Sequence, residues 1–145
     1  MSLLSTSDQQ QLRDSFAALT RPVHIVFFSQ AIGCDTCAET QQILREITDL
    51  TDRVTVEELS LVLEKERAAA YGIDRVPALV LLAGDEQEDT RIRFLGAPEG
   101  WDFLALVDAV LATGGGSPQA LSADTLERLC QLAEDVAIQV FVTPT

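Results

Sequence analysis

The chain has 145 residues, 47% of them hydrophobic, with 23 acidic against 10 basic residues and a net charge of −13. That is one domain's worth of chain with ample material for a core. It holds no apolar run of the ~18 residues needed to span a membrane, and an acidic surface with no Lys/Arg cluster disfavours nucleic acid and anionic lipid. The start, Met1-Ser2-Leu3-Leu4-Ser5, has no basic region and no cleavable hydrophobic segment, so no signal peptide is read. Three cysteines are too few for a secreted disulfide scaffold. The expected compartment is the reducing cytoplasm, with thiols that cycle.

Ser7-Asp8-Gln9-Gln10 fits a capping box, and Leu12, Phe16 and Leu19 recur at helical spacing, predicting a helix over residues 8–20 that Arg21-Pro22 stops. Residues 23–29 are short and almost continuously apolar, as in a central strand covered on both faces. Ile43, Leu44, Ile47 and Leu50 form one face of a second helix that follows Cys34. Residues 53–59 alternate as a strand, and residues 65–71 form a short helix ending at Gly72. Residues 78–83 are a second buried strand. A polar turn over residues 84–89 leads to a strand at residues 91–94. A helix over residues 100–112 presents Phe103, Val107, Val110 and Leu111 on one side. After a leading helix, the order β-α-β-α-β-β-α predicts an α/β, thioredoxin-like fold with a mixed sheet between helices.

Gly114-Gly115-Gly116-Ser117-Pro118 has the composition of a linker. Beyond it, residues 122–133 are predicted helical, with Leu126, Leu129, Cys130 and Ala133 on one face. Ile138-Gln139-Val140-Phe141-Val142-Thr143-Pro144-Thr145 then repeats the character of Val23-His24-Ile25-Val26-Phe27-Phe28-Ser29. The expected organisation is a thioredoxin-like domain over residues 1–113, a linker over 114–120, and the opening of a second, truncated unit over 121–145. An edge at residues 138–142 predicts homodimerisation through the C-terminal strand.

Cys34-Asp35-Thr36-Cys37 carries the chemistry. A CxxC between a strand and a helix, followed forty residues on by Arg75-Val76-Pro77-Ala78 opening another strand, is the arrangement of a thiol–disulfide redox site. Two intervening residues let both sulfurs meet within one turn. A helix N-terminus stabilises thiolate through its free N–H groups and dipole. Cys34 is therefore expected to be the exposed attacker and Cys37 the more buried, resolving thiol. Asp35 opposes thiolate formation, and the one cation placed to offset it is Arg75, if the proline loop approaches. The Val76-Pro77 bond fits either a cis peptide that aims the Val76 backbone at a substrate chain or an ordinary trans proline at a strand start.

These residues resemble those of a known family. Phe27-Phe28-Ser29 through the CxxC, Arg75-Val76-Pro77-Ala78, Phe94-Leu95-Gly96-Ala97-Pro98-Glu99-Gly100 and the closing Gln139-Val140-Phe141-Val142-Thr143-Pro144-Thr145 are similar to protein disulfide oxidoreductases, the tandem thioredoxin-fold proteins often described as glutaredoxin-like. The resemblance implies dithiol–disulfide exchange on protein substrates, electrons from a thioredoxin-reductase-like flavoenzyme, and no bound metal or cofactor beyond the Cys34–Cys37 disulfide. It places the nucleophile at Cys34, the resolving cysteine at Cys37 and a cis-proline at Pro77, with Val76 and Pro77 binding substrate. Two departures stand out. Asp-Thr replaces the aromatic-containing pair common in such sites, and Phe28 stands where thioredoxins keep a buried aspartate.

Competing readings remain at this point. Cys34 and Cys37 with Cys130 and His24 reach the four ligands of a zinc site, but His24 belongs at the far end of a strand, roughly 15 Å away. Cys130 reads as a buried small hydrophobe or the partner in a regulatory or intermolecular disulfide, His24 as a structural strand residue, Trp101 and Phe103 as core or part of a rim near the active site, and Glu39 as a solvated helix residue or a proton acceptor for Cys37. The alternative function is a non-catalytic or weakly active half of a tandem redox protein, serving interaction or scaffold roles. A glutathione-dependent reaction would need a basic groove that Arg75 alone does not supply.

Overall fold

The computed structural model describes residues 2–117 and 120–143. Pro118 of the expected linker and Pro144-Thr145 of the closing run lie outside the described residues. In chain order the elements are α1 (Thr6–Phe16), β1 (Val23–Ser29), α2 (Cys37–Thr48), β2 (Val54–Ser60), α3 (Lys65–Ala70), β3 (Ala78–Ala83), β4 (Glu88–Leu95), α4 (Trp101–Thr113) and α5 (Ala123–Cys130). The strands form one mixed sheet in the order β2-β1-β3-β4. β1 and β2 are parallel, joined by the α2 crossover, and β3 runs antiparallel to both β1 and β4. This is the α/β, thioredoxin-like arrangement expected from the element order.

The near-continuous apolar runs became the central strands because they are covered on both faces: every residue of β3 is buried, as are five of seven in β1. Alternate residues feed two cores. Ile25, Phe27, Leu79 and Leu81 meet α1, α2 and α4 through Phe16, Leu44, Ile47, Leu106 and Val110. Val26, Phe28, Val80 and Leu82 meet a smaller set on the opposite side, Ala68 of α3 and Ile73 with the partly buried Leu59, Leu61, Tyr71 and Val76. β4 starts earlier than its alternation suggested because it is interrupted. Arg91 takes a positive φ of 64° where the register shifts, and the Thr90 hydroxyl donates to the Leu81 carbonyl at 2.7 Å in place of a ladder bond.

The first helix begins two residues earlier than expected, at Thr6. Ser5, not Ser7, is the N-cap: its hydroxyl accepts from Asp8 N–H at 3.2 Å, and the Asp8 carboxylate accepts from Ser5 N–H at 3.3 Å. The carboxylate of Asp8 is a stronger reciprocal acceptor than the amide of Gln10, and it suits the positive helix end. The helix also stops at Phe16 rather than near residue 20. The chain turns there to bury Leu19 and to send the Thr20 and Arg21 N–H groups to the Gly114 carbonyl, at 2.9 and 3.2 Å. Arg21 Nε adds a bond to the Thr113 carbonyl at 2.7 Å. Gly114 is consequently packed, not free: a Cβ there would lie 2.3 Å from Leu19 Cδ2.

α5 forms over part of the expected span, capped by Ser122, but buries no residue. Cys130 is exposed, not the buried hydrophobe expected, because the apolar face of α5 has nothing to pack on among the described residues. Residues 138–142 form no strand. They run without sheet partners, with Ile138, Val140 and Phe141 exposed, since β-structure needs a neighbouring ladder.

Candidate redox site

Cys34 and Cys37 form a disulfide across the turn that leads into α2, with Cα atoms 5.5 Å apart. β1 delivers the chain to this point. After Ser29 it crosses an exposed loop whose Gly33 has a φ of +77°, a conformation that suits glycine. Cys37 is the first residue of α2 and is 8% exposed, fixed by the buried Thr40, Ile43, Leu44 and Ile47 on the same helix. Cys34 precedes the helix and is half-buried. The turn is tightened by Thr40, whose N–H and hydroxyl both donate to the Thr36 carbonyl, at 3.0 and 2.9 Å. Thr36 itself makes no side-chain cap, so the N-terminal N–H groups of α2 stay directed toward the cysteine turn.

Val76 and Pro77 arrive at the same end of the sheet from the antiparallel side. Ala78 pairs with Phe28 of β1 and with Leu95 of β4, so residues 76–77 overhang the strand ends beside the cysteine loop. The Val76-Pro77 peptide is cis. Gly96 N–H donates to the Pro77 carbonyl at 2.9 Å, tying the loop after β4 to the proline.

The expected compensation of Asp35 by Arg75 does not occur. Arg75 pairs instead with its neighbour Asp74 at 2.8 Å, both side chains exposed. The hydrogen bond and charge of Arg75 hold the Asp74 carboxyl below the usual range. Near α2 the balance is acidic. The Glu99 carboxyl is held above its usual range first by its hydrogen bond to Glu39, then by desolvation and the Glu39 charge. Glu39 thus faces another carboxylate. Glu99 was missed as a site residue, and so were Leu95 and Ile32. Ile32 lies two residues before Cys34, and Leu95 and Glu99 belong to the run over residues 94–100, which the pairing of Leu95 with Ala78 brings to the same end of the sheet.

The other expectations resolve by position. Trp101 opens α4 but is exposed, not core, because the first turn of that helix stands clear of the sheet; Phe103 does pack against the larger core. His24 lies at the entry end of β1, bonded through Nδ1 to Thr55 Oγ1 at 2.7 Å, with Glu57 3.6 Å from Nε2. Glu57 is in turn chelated by Arg67 at 2.8 and 2.9 Å, a structural network on β2. Phe28, where a buried aspartate stands in thioredoxins, packs edge-on against Tyr71, so that position holds no proton carrier. No described helix is long and apolar enough to cross a membrane.

Comparison with known proteins agrees with this geometry. The chain superposes on the F component of the alkyl hydroperoxide reductase of Enterococcus faecalis with a TM-score of 0.81 and 32% identity, covering 89% of this chain and 61% of that one. A protein disulfide oxidoreductase from Aeropyrum pernix gives 0.73 at 22% identity, over 88% and 55%. The chain has the thioredoxin fold. Among curated proteins, the F component of the alkyl hydroperoxide reductase of Escherichia coli is 29% identical over 139 residues, which is 96% of this chain and 24% of that protein. The chain thus spans about a quarter of the length of the curated relatives it matches. No family model matches it. The similarity to tandem thioredoxin-fold proteins read from the motifs therefore extends over most of the chain.

Proposed function

We propose that this chain is a thiol–disulfide oxidoreductase unit that exchanges disulfides of protein substrates through Cys34 and Cys37. The observation that carries this reading is the closed disulfide at the start of α2, with one sulfur residue half-buried and the other fixed in the helix. In the reduced form, the Cys34 thiolate attacks one sulfur of a substrate disulfide. The substrate's leaving thiolate takes a proton, and a mixed disulfide remains. Cys37, deprotonated, then attacks Cys34 Sγ, expelling the second substrate thiol and closing Cys34–Cys37. Two electrons pass to the substrate, and a dithiol donor restores the pair in the reverse sequence. Val76 and Pro77 present backbone to the substrate chain beside the sulfurs.

The donor proposed is a thioredoxin-reductase-like flavoenzyme. The likeness to alkyl hydroperoxide reductase components supports a place for the unit in electron delivery to a hydroperoxide-reducing partner. The unit needs no metal or cofactor beyond its own disulfide, and its compartment is the cytoplasm. Residues 1–113 form the unit, residues 114–120 are its C-terminal connection, and residues 121–145 open a second unit. The last point is supported by α5, which repeats the serine cap of α1: Ser5 and Ser122 both accept the N–H three residues on. Residues 138–142, which form no strand within one chain, would pair as an edge strand with a second copy.

One observation favours the weaker, scaffold-like alternative: Arg75, the cation expected to promote the Cys34 thiolate, is paired with Asp74, and Asp35 has no ion-pair partner among the described residues. Insulin reduction with dithiothreitol separates the two. A catalyst accelerates precipitation, Cys34→Ser abolishes the effect, and Cys37→Ser traps substrate on Cys34. If the wild-type chain leaves the uncatalysed rate unchanged, the unit is a scaffold.

A further inference from the structure

The sheet end that carries the disulfide also gathers exposed apolar side chains that no packing requirement explains. Ile32, two residues before Cys34, is 88% exposed. Leu95, paired with Ala78 beside Pro77, is 56% exposed, and Trp101, at the start of α4, is 75% exposed. Asp35 within the CxxC, Glu39 in the first turn of α2 and Glu99 against Glu39 add three carboxylates to this end. None of these three has an ion-pair partner among the described residues. Three carboxylates elsewhere are neutralised, Glu57 by Arg67, Asp89 by Arg93 and Asp74 by Arg75. Glu39 and Glu99 instead meet each other, an arrangement that repels when both are ionised and that a cation from outside would relieve.

From the juxtaposition of this apolar rim with three unpaired carboxylates around the disulfide, we propose that the site selects protein disulfides whose flanking residues are basic and carry an apolar side chain next to the cysteine. The proposal rests on the oxidoreductase reading and names its substrate class. Ile32, Leu95 and Trp101 cover the apolar neighbour, while Asp35, Glu39 and Glu99 attract the flanking Lys or Arg residues and orient the incoming chain. A negative rim around a partly desolvated contact raises encounter rates for a positive partner and disfavours an acidic one.

The test uses the full chain with Cys34 and Cys37 reduced and two synthetic peptides. Each peptide holds the same single disulfide and an adjacent leucine, flanked by lysines in one and glutamates in the other. Two electrons and two protons move from Cys34/Cys37 to the peptide, which becomes a dithiol, and the rate is read by acid quench and thiol alkylation. The lysine peptide is expected to react about tenfold faster or more at low salt, with the gap closing toward 1 M salt, where the screening length is ~3 Å. Because the whole chain is acidic, a distant control is needed. Glu39→Lys with Glu99→Lys should reverse the preference. Glu86→Lys with Glu88→Lys, the same charge change at the opposite end of the sheet, should leave the lysine peptide ahead. Equal rates for the two peptides, or equal effects of the two double variants, overturn the proposal while leaving the oxidoreductase reading intact. Failure of both peptides to react, with dithiothreitol still cycling the pair, overturns the protein-substrate reading as well. For the apolar half, Trp101→Ser should slow the leucine peptide more than one with glycine in its place. An equal loss for both peptides removes that half.

Discussion

Gly114→Ala distinguishes a packed corner from a linker. Gly114 sits at φ −85°, ψ 5°, a conformation open to alanine. In a free linker the substitution would be neutral or would stabilise by about 0.4–1 kcal/mol, through the unfolded chain. Here the new Cβ would stand 2.3 Å from Leu19 Cδ2, 3.0 Å from Val23 Cγ2 and 3.3 Å from the Arg21 carbonyl oxygen. Leu19 can swing only into a filled core, and Val23 is fully buried, so relief requires backbone movement at the corner. That movement loosens the bonds from Thr20 and Arg21 N–H to the Gly114 carbonyl. Overpacking of this kind costs about 1–3 kcal/mol, which outweighs the linker-type gain and leaves a net loss of about 1–2 kcal/mol. Urea unfolding followed by far-UV circular dichroism, with the disulfide closed, should show a midpoint lower by roughly 0.5–1 M at unchanged slope. In a Leu19→Ala background the same substitution should cost less, because the nearest clash is gone. An unchanged or raised midpoint in the wild-type background would refute the packed corner.

Two further outcomes are expected. Burial opposes ionisation of Glu46, but hydrogen bonds from Gln42, Leu3 N–H, Ser2 and Leu4 N–H outweigh it and hold the carboxyl below its usual value. A lowered folded value means the stabilisation is present above the unfolded carboxyl range and is lost as pH falls through the folded value. Protection of the Leu3 and Leu4 amides against hydrogen exchange should therefore collapse as acidification below the usual carboxylate range protonates Glu46, while the core amides stay protected. Unchanged protection at these two sites down to pH 2 would contradict the role given to Glu46. Cys130 should account for one alkylatable thiol per chain before reduction, rising to three after dithiothreitol. Cys130→Ser should bring these counts to none and two, and any other stoichiometry would mean that Cys130 pairs.

The parts of the fold that depend on burial were legible in the sequence. β1 and β3 are covered on both faces, so their residues had to be apolar throughout, and their limits agree with the runs that predicted them. Features set by competition between partners were less legible. Ser5 and Ser7 each have an acceptor three residues on, and only the stronger reciprocal acceptor, Asp8, decided between them. The glycines at 114–116 read as a linker because composition cannot distinguish glycine chosen for freedom from glycine chosen for close approach. Trp101 and Cys130 read as core because their helices have apolar faces, yet burial also requires a neighbour, and their surroundings supply none. At the site the CxxC was evident at once. Glu99 and Leu95 were not, since β4 comes to that end of the sheet only by pairing with β3, which in turn pairs with β1.

The unequal cover of the sheet bears on how the molecule comes apart. One face is roofed by α1, α2 and α4, and the other by the six residues of α3 with the loop after it. On that thin side Arg93 reaches across to the Tyr71 carbonyl and ring, a polar clasp holding α3 against β4. The lowest-energy opening is therefore expected to lift α3 and expose the outer strand while α2 keeps its full set of neighbours. Partial melting would begin away from the sulfurs, and the dithiol turn would be among the last regions to lose its shape.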